Sequence, residues 1–160
     1  MSASAVPVGD VSPAYYQHLA EVRYRIRQFL RFSEESARSH GVEPQQHQLM
    51  LVIKGLPSGI RPTIRAISSR LCLRHNSTVE LINRLAERGA LVRRPCELDR
   101  REVLIELTPH GEELLRRLSV LHWEELQTSG PDLSAALEII VRNAPEQHSL
   151  PELKQKAATQ

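Results

Sequence analysis

The stretch LVRRPCELDRREVLIELTPHG, residues 91–111, decides how this chain is read. Two strand-like runs, 91–94 and 103–107, flank a tip of eight residues, 95–102. Short β-prone runs closed by turn and charged residues pair as a hairpin. The tip carries Asp99, Arg100 and Arg101. Thr108-Pro109 follows at once: a hydroxyl suited to an N-cap, then proline at N1, where its missing N–H costs nothing. A charged ribbon therefore stands directly before a helix.

Working outward, the flanking sequence is helical. Ser12-Pro13 is another helix start, and Tyr15, Leu19, Val22, Ile26, Phe29, Leu30 and Ser33 recur at three- and four-residue steps. Gly41 is a C′ stop. A helix of about 25 residues is roughly 40 Å long. That exceeds what so small a core requires, so part of its apolar seam is expected to face another chain. Pro44 starts a second helix through QQHQLMLVIKGL, whose block Leu49–Ile53 is apolar nearly all round and so reads as buried. After the loop PSGIRP comes TIRAISSRLCL, with Ile64, Ile67 and Leu71 on one stripe. A turn at 73–75 leads to NSTVELINRLAERG, where Thr78, Leu81, Ile82 and Leu85 share a face and Gly89 stops the helix. Ser77 with Glu80 has capping-box spacing, and Asn76 is an equal candidate for the cap. Beyond Thr108, Leu114, Leu115, Leu118, Leu121 and Leu126 form a seam. SGPD, residues 129–132, is expected to break that helix, leaving a shorter one over 133–141.

Helix, helix, turn, helix, hairpin is the order of a winged helix-turn-helix. The fold class expected is mainly α, with long N- and C-terminal dimerisation helices. The divisions are a flexible leader over 1–13, dimerisation arms over 14–43 and 108–143, a DNA-binding lobe over 44–107, and a polar tail over 144–160.

In this architecture the second helix of the pair enters the major groove, whose width admits an α-helix. The expected DNA contacts are Arg74, His75, Asn76, Ser77, Thr78, Glu80, Asn83 and Arg84 around that helix, with Arg94, Arg100 and Arg101 on the hairpin. Asp99 sits where it can orient a wing arginine. Glu80 can accept from a cytosine amino group, but Glu80 and Glu87 are more readily surface partners for Arg84 and Arg88. Charge is distributed accordingly. Ten arginines lie from Arg61 to Arg101 against Glu80, Glu87, Glu97 and Asp99. That segment is +6 within a chain of net +2, leaving −4 elsewhere. Binding of such a segment to phosphates weakens with salt, through counterion release.

The chain resembles the MarR family of bacterial transcriptional regulators. The likeness lies in LINRLAERGALVRRPCELDRREVLIELTPHG, with its Asp99-Arg100-Arg101 wing and its Leu107-Thr108-Pro109-His110-Gly111 element, and in the upstream ISSRLCLRHNSTVELINRL. It covers roughly residues 14–143. The resemblance implies a homodimer with two recognition helices a DNA turn apart, double-stranded DNA as partner, and a near-palindromic operator. It also implies control, as a repressor, by a small aromatic or phenolic effector held between arm and lobe. His18, Arg23 and His47 are the candidates for that pocket, with Trp123 beside them. The first long helix lacks the cysteine of the family's peroxide-sensing branch.

Other readings are limited by composition. Aromatics are 4%, so the core must be mostly Leu, Ile, Val and Ala. No run approaches the roughly 18 apolar residues of a membrane helix. The N-terminus has no basic region followed by an apolar one, so it does not read as a secretory signal. Cys72 and Cys96 have no CxxC spacing, which suits a reducing cytoplasm. No catalytic motif, metal set or cofactor loop is visible, so neither an enzyme nor a cofactor is expected. Two alternatives remain: a winged-helix dimer acting as a protein-interaction module, and a regulator that responds to oxidation at Cys72 or Cys96.

Overall fold

A computed structural model describes residues 12–97 and 102–142. The order is α1 (Pro13–Ser39), α2 (Pro44–Lys54), α3 (Ile64–Leu71), α4 (His75–Glu87), β1 (Leu91–Pro95), β2 (Val103–Leu107) and α5 (Pro109–Arg142). This is the expected mainly helical, winged arrangement. Asp99, Arg100, Arg101, the leader before residue 12 and the tail after 142 lie outside the described residues.

The chain divides into two compact units. The larger spans Phe29–Leu126 and so includes the inner ends of both long helices as well as the helix-turn-helix and hairpin. Its core holds Leu49, Met50, Ile67, Ile82, Leu85, Leu91, Ile105 and Leu118, all essentially inaccessible. In the smaller unit, built from the outer parts of α1 and α5, Arg25 bridges Glu21 at 2.7 Å and Asp132 at 2.9 Å.

Local chemistry sets the ends of the elements. The Tyr15 amide reaches Ser12 Oγ at 3.3 Å. Gly41 takes φ +72°, a left-handed geometry that glycine adopts without a Cβ penalty, and the chain turns there into α2. Glu43 and Gln46 form the capping box of α2 around Pro44 at N1. Thr63 Oγ1 accepts from the Ala66 amide at 3.2 Å to cap α3.

Two expectations are corrected. First, α4 starts at His75, two or three residues early, and its N-cap is Arg74, without a side-chain cap bond. Neither Ser77 nor Asn76 caps it. Cys72 adopts φ +53° and ends α3 so tightly that the chain re-enters helix at once, with the Thr78 amide bonding to the Arg74 carbonyl at 3.1 Å. Second, SGPD does not break the last helix: α5 runs unbroken through Pro131. A proline there removes one i→i−4 hydrogen bond. Ala136 is buried and Leu133 half-buried beyond it, so burial continues past the local breaker and outweighs it.

β1 and β2 pair antiparallel, with Leu91 opposite Leu107 and Arg93 opposite Ile105. The hairpin root is stitched to the segment before α3. Thr63 bridges to Leu104, and the Ile105 amide bonds to the Pro62 carbonyl at 2.9 Å. At the other end, Thr108 Oγ1 donates to the Gly89 carbonyl at 2.6 Å and accepts from the Gly111 amide at 3.1 Å. The Thr108 amide bonds to the Ala90 carbonyl at 3.1 Å. Gly111 lies so close to Ala90 that an added Cβ would stand 1.9 Å from the Ala90 carbonyl oxygen. The Thr-Pro-His-Gly element is thus a weld between the start of α5 and the turn that leaves α4.

Candidate nucleic-acid interface

One side of α4 is sealed: Thr78, Leu81, Ile82 and Leu85 are buried. The opposite side exposes His75, Asn76, Ser77, Glu80, Asn83, Arg84 and Glu87. Thr78 must therefore be removed from the expected contact set. It is inaccessible, and its hydroxyl donates to the Arg74 carbonyl at 3.2 Å, one turn back on its own helix.

Arg74 and Arg84 are exposed and make no ion pair among the described residues. The expected pairing of Glu80 and Glu87 with Arg84 and Arg88 does not form. Arg88 turns instead toward the α1–α2 corner, donating to Gln46 Oε1 at 3.1 Å and to the Gly41 carbonyl. That leaves Arg84 uncommitted and makes Arg88 a structural brace.

The hairpin arginines separate in the same way. Arg94 bridges Glu106 at 2.7 Å across the strands. Arg93, opposite the buried Ile105, lies on the hairpin face that packs on the helices, and its Nη2 donates to Asn83 Oδ1 at 2.6 Å. Arg61 bridges Glu102 at 2.8 Å and donates to Cys96 Sγ at 3.2 Å. These braces at the root of the wing were not visible in the sequence, because each joins residues far apart along the chain.

The two cysteines have different environments. Cys72 is exposed, at the left-handed corner that ends α3. Cys96 is buried at the wing root.

Of the effector candidates, His18 is half-buried and Arg23 exposed in the smaller unit, while His47 is inaccessible in the larger one. Trp123 is exposed. His47 packs against His122, which sequence reading did not pair with it, at 4.7 Å between ring centroids. His122 Nδ1 lies 2.6 Å from the Leu118 carbonyl and Nε2 lies 2.7 Å from Ser33 Oγ. A carbonyl only accepts, so Nδ1 carries the proton; in the neutral ring Nε2 then accepts from the Ser33 hydroxyl. His47 Nδ1 is buried and has no hydrogen-bond partner among the described residues. Burial, reinforced by the neighbouring His122, pushes the His47 pKa down to about 4. A separate groove of about 390 Å³ is lined by Glu34, Arg38, Glu43, Gln46 and Arg84, and none of the effector candidates lines it. Among the described residues no three His, Cys, Asp or Glu side chains gather as a metal site, and no helix is long and apolar enough to cross a membrane.

A sequence profile described as the MarR family matches residues 40–102, which hold both helices of the pair and the first strand of the wing. Over those residues the chain is similar to the MarR family. It is 28% identical over 115 residues to a protein of Thauera aromatica assigned as a transcriptional regulatory protein for the hcr operon. That match covers 72% of this chain, and the chain spans only 65% of the length of that relative. Solved structures of similar fold include the following two. AbsC from Streptomyces coelicolor, a MarR family transcriptional regulator, has TM-score 0.64 at 18% identity, covering 94% of this chain and 99% of AbsC. A mutant of S. aureus MepR bound to an oligodeoxyribonucleotide has TM-score 0.56 at 17% identity, covering 93% of each chain.

Proposed function

We propose that this chain is a MarR-family DNA-binding transcriptional regulator that acts as a homodimer, represses from a near-palindromic operator, and is released by a small aromatic or phenolic effector. One observation carries the reading: α4 buries Thr78, Leu81, Ile82 and Leu85 while presenting Asn76, Ser77, Asn83 and Arg84 on its outer side. Asparagine and arginine are the side chains that match base edges bidentately, and arginine also neutralises phosphate. Arg74, exposed just before α4, and Arg93, bonded to Asn83, add positive charge on that side, and Arg100 and Arg101 are the residues assigned to the adjacent groove or backbone. The S. aureus relative bound to an oligodeoxyribonucleotide supports the choice of partner.

The homodimer rests on apolar surface. Tyr16, Leu19, Ile26 and Leu30 on α1, and Leu137, Ile139 and Val141 on α5, remain exposed in the single chain. Two DNA-reading lobes held by one dimer account for a near-palindromic site.

The test is a fluorescence-anisotropy titration with the intergenic DNA beside the chain's own gene, at several salt concentrations. Binding should be tight at low salt and fall steeply toward physiological salt. Arg100→Ala with Arg101→Ala should weaken it. Absence of binding to any duplex at low ionic strength refutes the reading. Titrating a panel of aromatic acids and phenols into the complex tests effector release.

A further inference from the structure

We propose that Arg93 sets which base Asn83 reads, by holding the Asn83 amide in one orientation. This rests on the DNA-binding reading above and deepens it.

Asparagine ordinarily presents an acceptor and a donor together. That pair matches adenine, whose major-groove edge offers the N6 amino donor beside the N7 acceptor. The two ends of a free amide can exchange by rotation, so either can face outward. Here they cannot exchange without loss. Arg93 has donors only, and its Nη2 lies 2.6 Å from the Asn83 oxygen. The oxygen is therefore directed at the hairpin, and the Nδ2 amino group, with its two N–H donors, points away from it.

The constraint comes from the fold rather than from α4 alone. Arg93 sits opposite Ile105, which is inaccessible, so the register of the hairpin directs the arginine to the helical side. Its neighbour Arg94 is held by Glu106, so the two adjacent arginines do not compete for Asn83. Glu80 and Glu87, on the same exposed side of α4, accept nothing from Arg93 among the described residues.

An amide that shows only donors prefers an edge that shows only acceptors. Guanine presents N7 and O6 side by side in the major groove, whereas adenine sets an amino group against the Asn83 amino group. The specificity assigned to Asn83 is therefore guanine over adenine, the reverse of what asparagine would select by itself.

The experiment is selection from a pool of duplexes with randomised sequence, using the full chain and its Asn83→Ala, Arg93→Ala and Arg93→Lys variants. All three changes are at exposed positions. Wild type should enrich sites with guanine at one symmetry-related position. Asn83→Ala should flatten preference there and leave other positions intact. Arg93→Ala should move that same position toward adenine by about tenfold, the scale of one base-edge contact. Arg93→Lys, which keeps a donor, should stay nearer to wild type. The inference is overturned if Arg93→Ala weakens all sequences equally with unchanged preferences, as a plain phosphate contact would. It is also overturned if Asn83→Ala alters no position. A wild-type chain that enriches no duplex overturns the DNA-binding reading and this inference together, and so is distinguishable from failure of this inference alone.

Discussion

The imidazoles of His47 and His122 face each other at 4.7 Å with a tilt of 42°, where α2 meets α5 inside the larger unit. Phe29 and Phe32 of α1 pack edge-on against His122, and Ser33 donates to it. One member of the pair is fully bonded, and the other has a buried nitrogen with no partner among the described residues. An unpartnered buried nitrogen is tolerable only while the ring is uncharged.

Acid should therefore weaken the fold before the carboxylates titrate. The His47 pKa is depressed to about 4 in the folded chain, against 6.5 for an ordinary histidine. The unfolded chain binds the proton first. Stability is thus complete above pH 6.5 and declines as pH falls from there toward 4, by roughly 3 kcal/mol over the whole window. Thermal melts at half-unit pH steps should show this decline beginning near pH 6.5. His47→Phe keeps an aromatic ring but cannot titrate, so its curve should be flatter between pH 6.5 and 5. An equally steep variant curve assigns the effect elsewhere.

Gly111→Ala should be among the most damaging single changes available. The new methyl group would meet the Ala90 carbonyl oxygen at 1.9 Å, a backbone atom with no rotamer to yield. Loss of about 3 kcal/mol or more is expected in urea unfolding, at the upper end for an overpacked site. Thr108→Val removes the bonds to Gly89 and Gly111 but adds no clash, and should cost about 1–2 kcal/mol. A Gly111→Ala chain of wild-type stability would show that the weld can open.

Two arginines four residues apart on one stretch should behave oppositely. Arg84 is exposed and makes no ion pair among the described residues, so Arg84→Ala should weaken DNA binding and lower the salt slope by about one, with little effect on unfolding. Arg88 holds the α1–α2 corner through Gln46 and Gly41. Arg88→Ala should lower stability by about 1–3 kcal/mol and leave the salt slope unchanged. Anisotropy titrations at four salt concentrations, with parallel denaturant curves, separate the two. Equal effects in both assays would contradict the division.

Val141 is 74% exposed on the last turn of α5, where an isolated apolar side chain gains nothing. If that surface closes on a second copy, Val141→Asp should shift light-scattering mass toward the single chain without loss of helicity. A variant that keeps the wild-type mass would place the interface elsewhere.

Much of this was legible from the sequence because it depends on neighbours three or four residues away. The proline starts at Pro13, Pro44 and Pro109 open helices as read, and Gly41 turns left-handed where a stop was expected. The stripe through Thr78, Leu81, Ile82 and Leu85 is buried, so the outer face of α4 follows by elimination. The winged order and the local charge excess needed nothing beyond spacing and composition.

What the tertiary structure decided were the partnerships between distant residues, and these changed the roles of several side chains. The sequence reading gave Arg88 a surface glutamate as partner, but folding places the Gly41 carbonyl and the Gln46 amide within reach. Pro131 looked like a break until burial beyond it carried the helix through. His47 and His122 stand 75 positions apart, and Asn83 and Arg93 sit on different elements, so no period in the sequence joins either pair. Local propensity is a sum of small terms over a few residues, whereas a buried contact or a charged hydrogen bond acts wherever packing brings its two halves together.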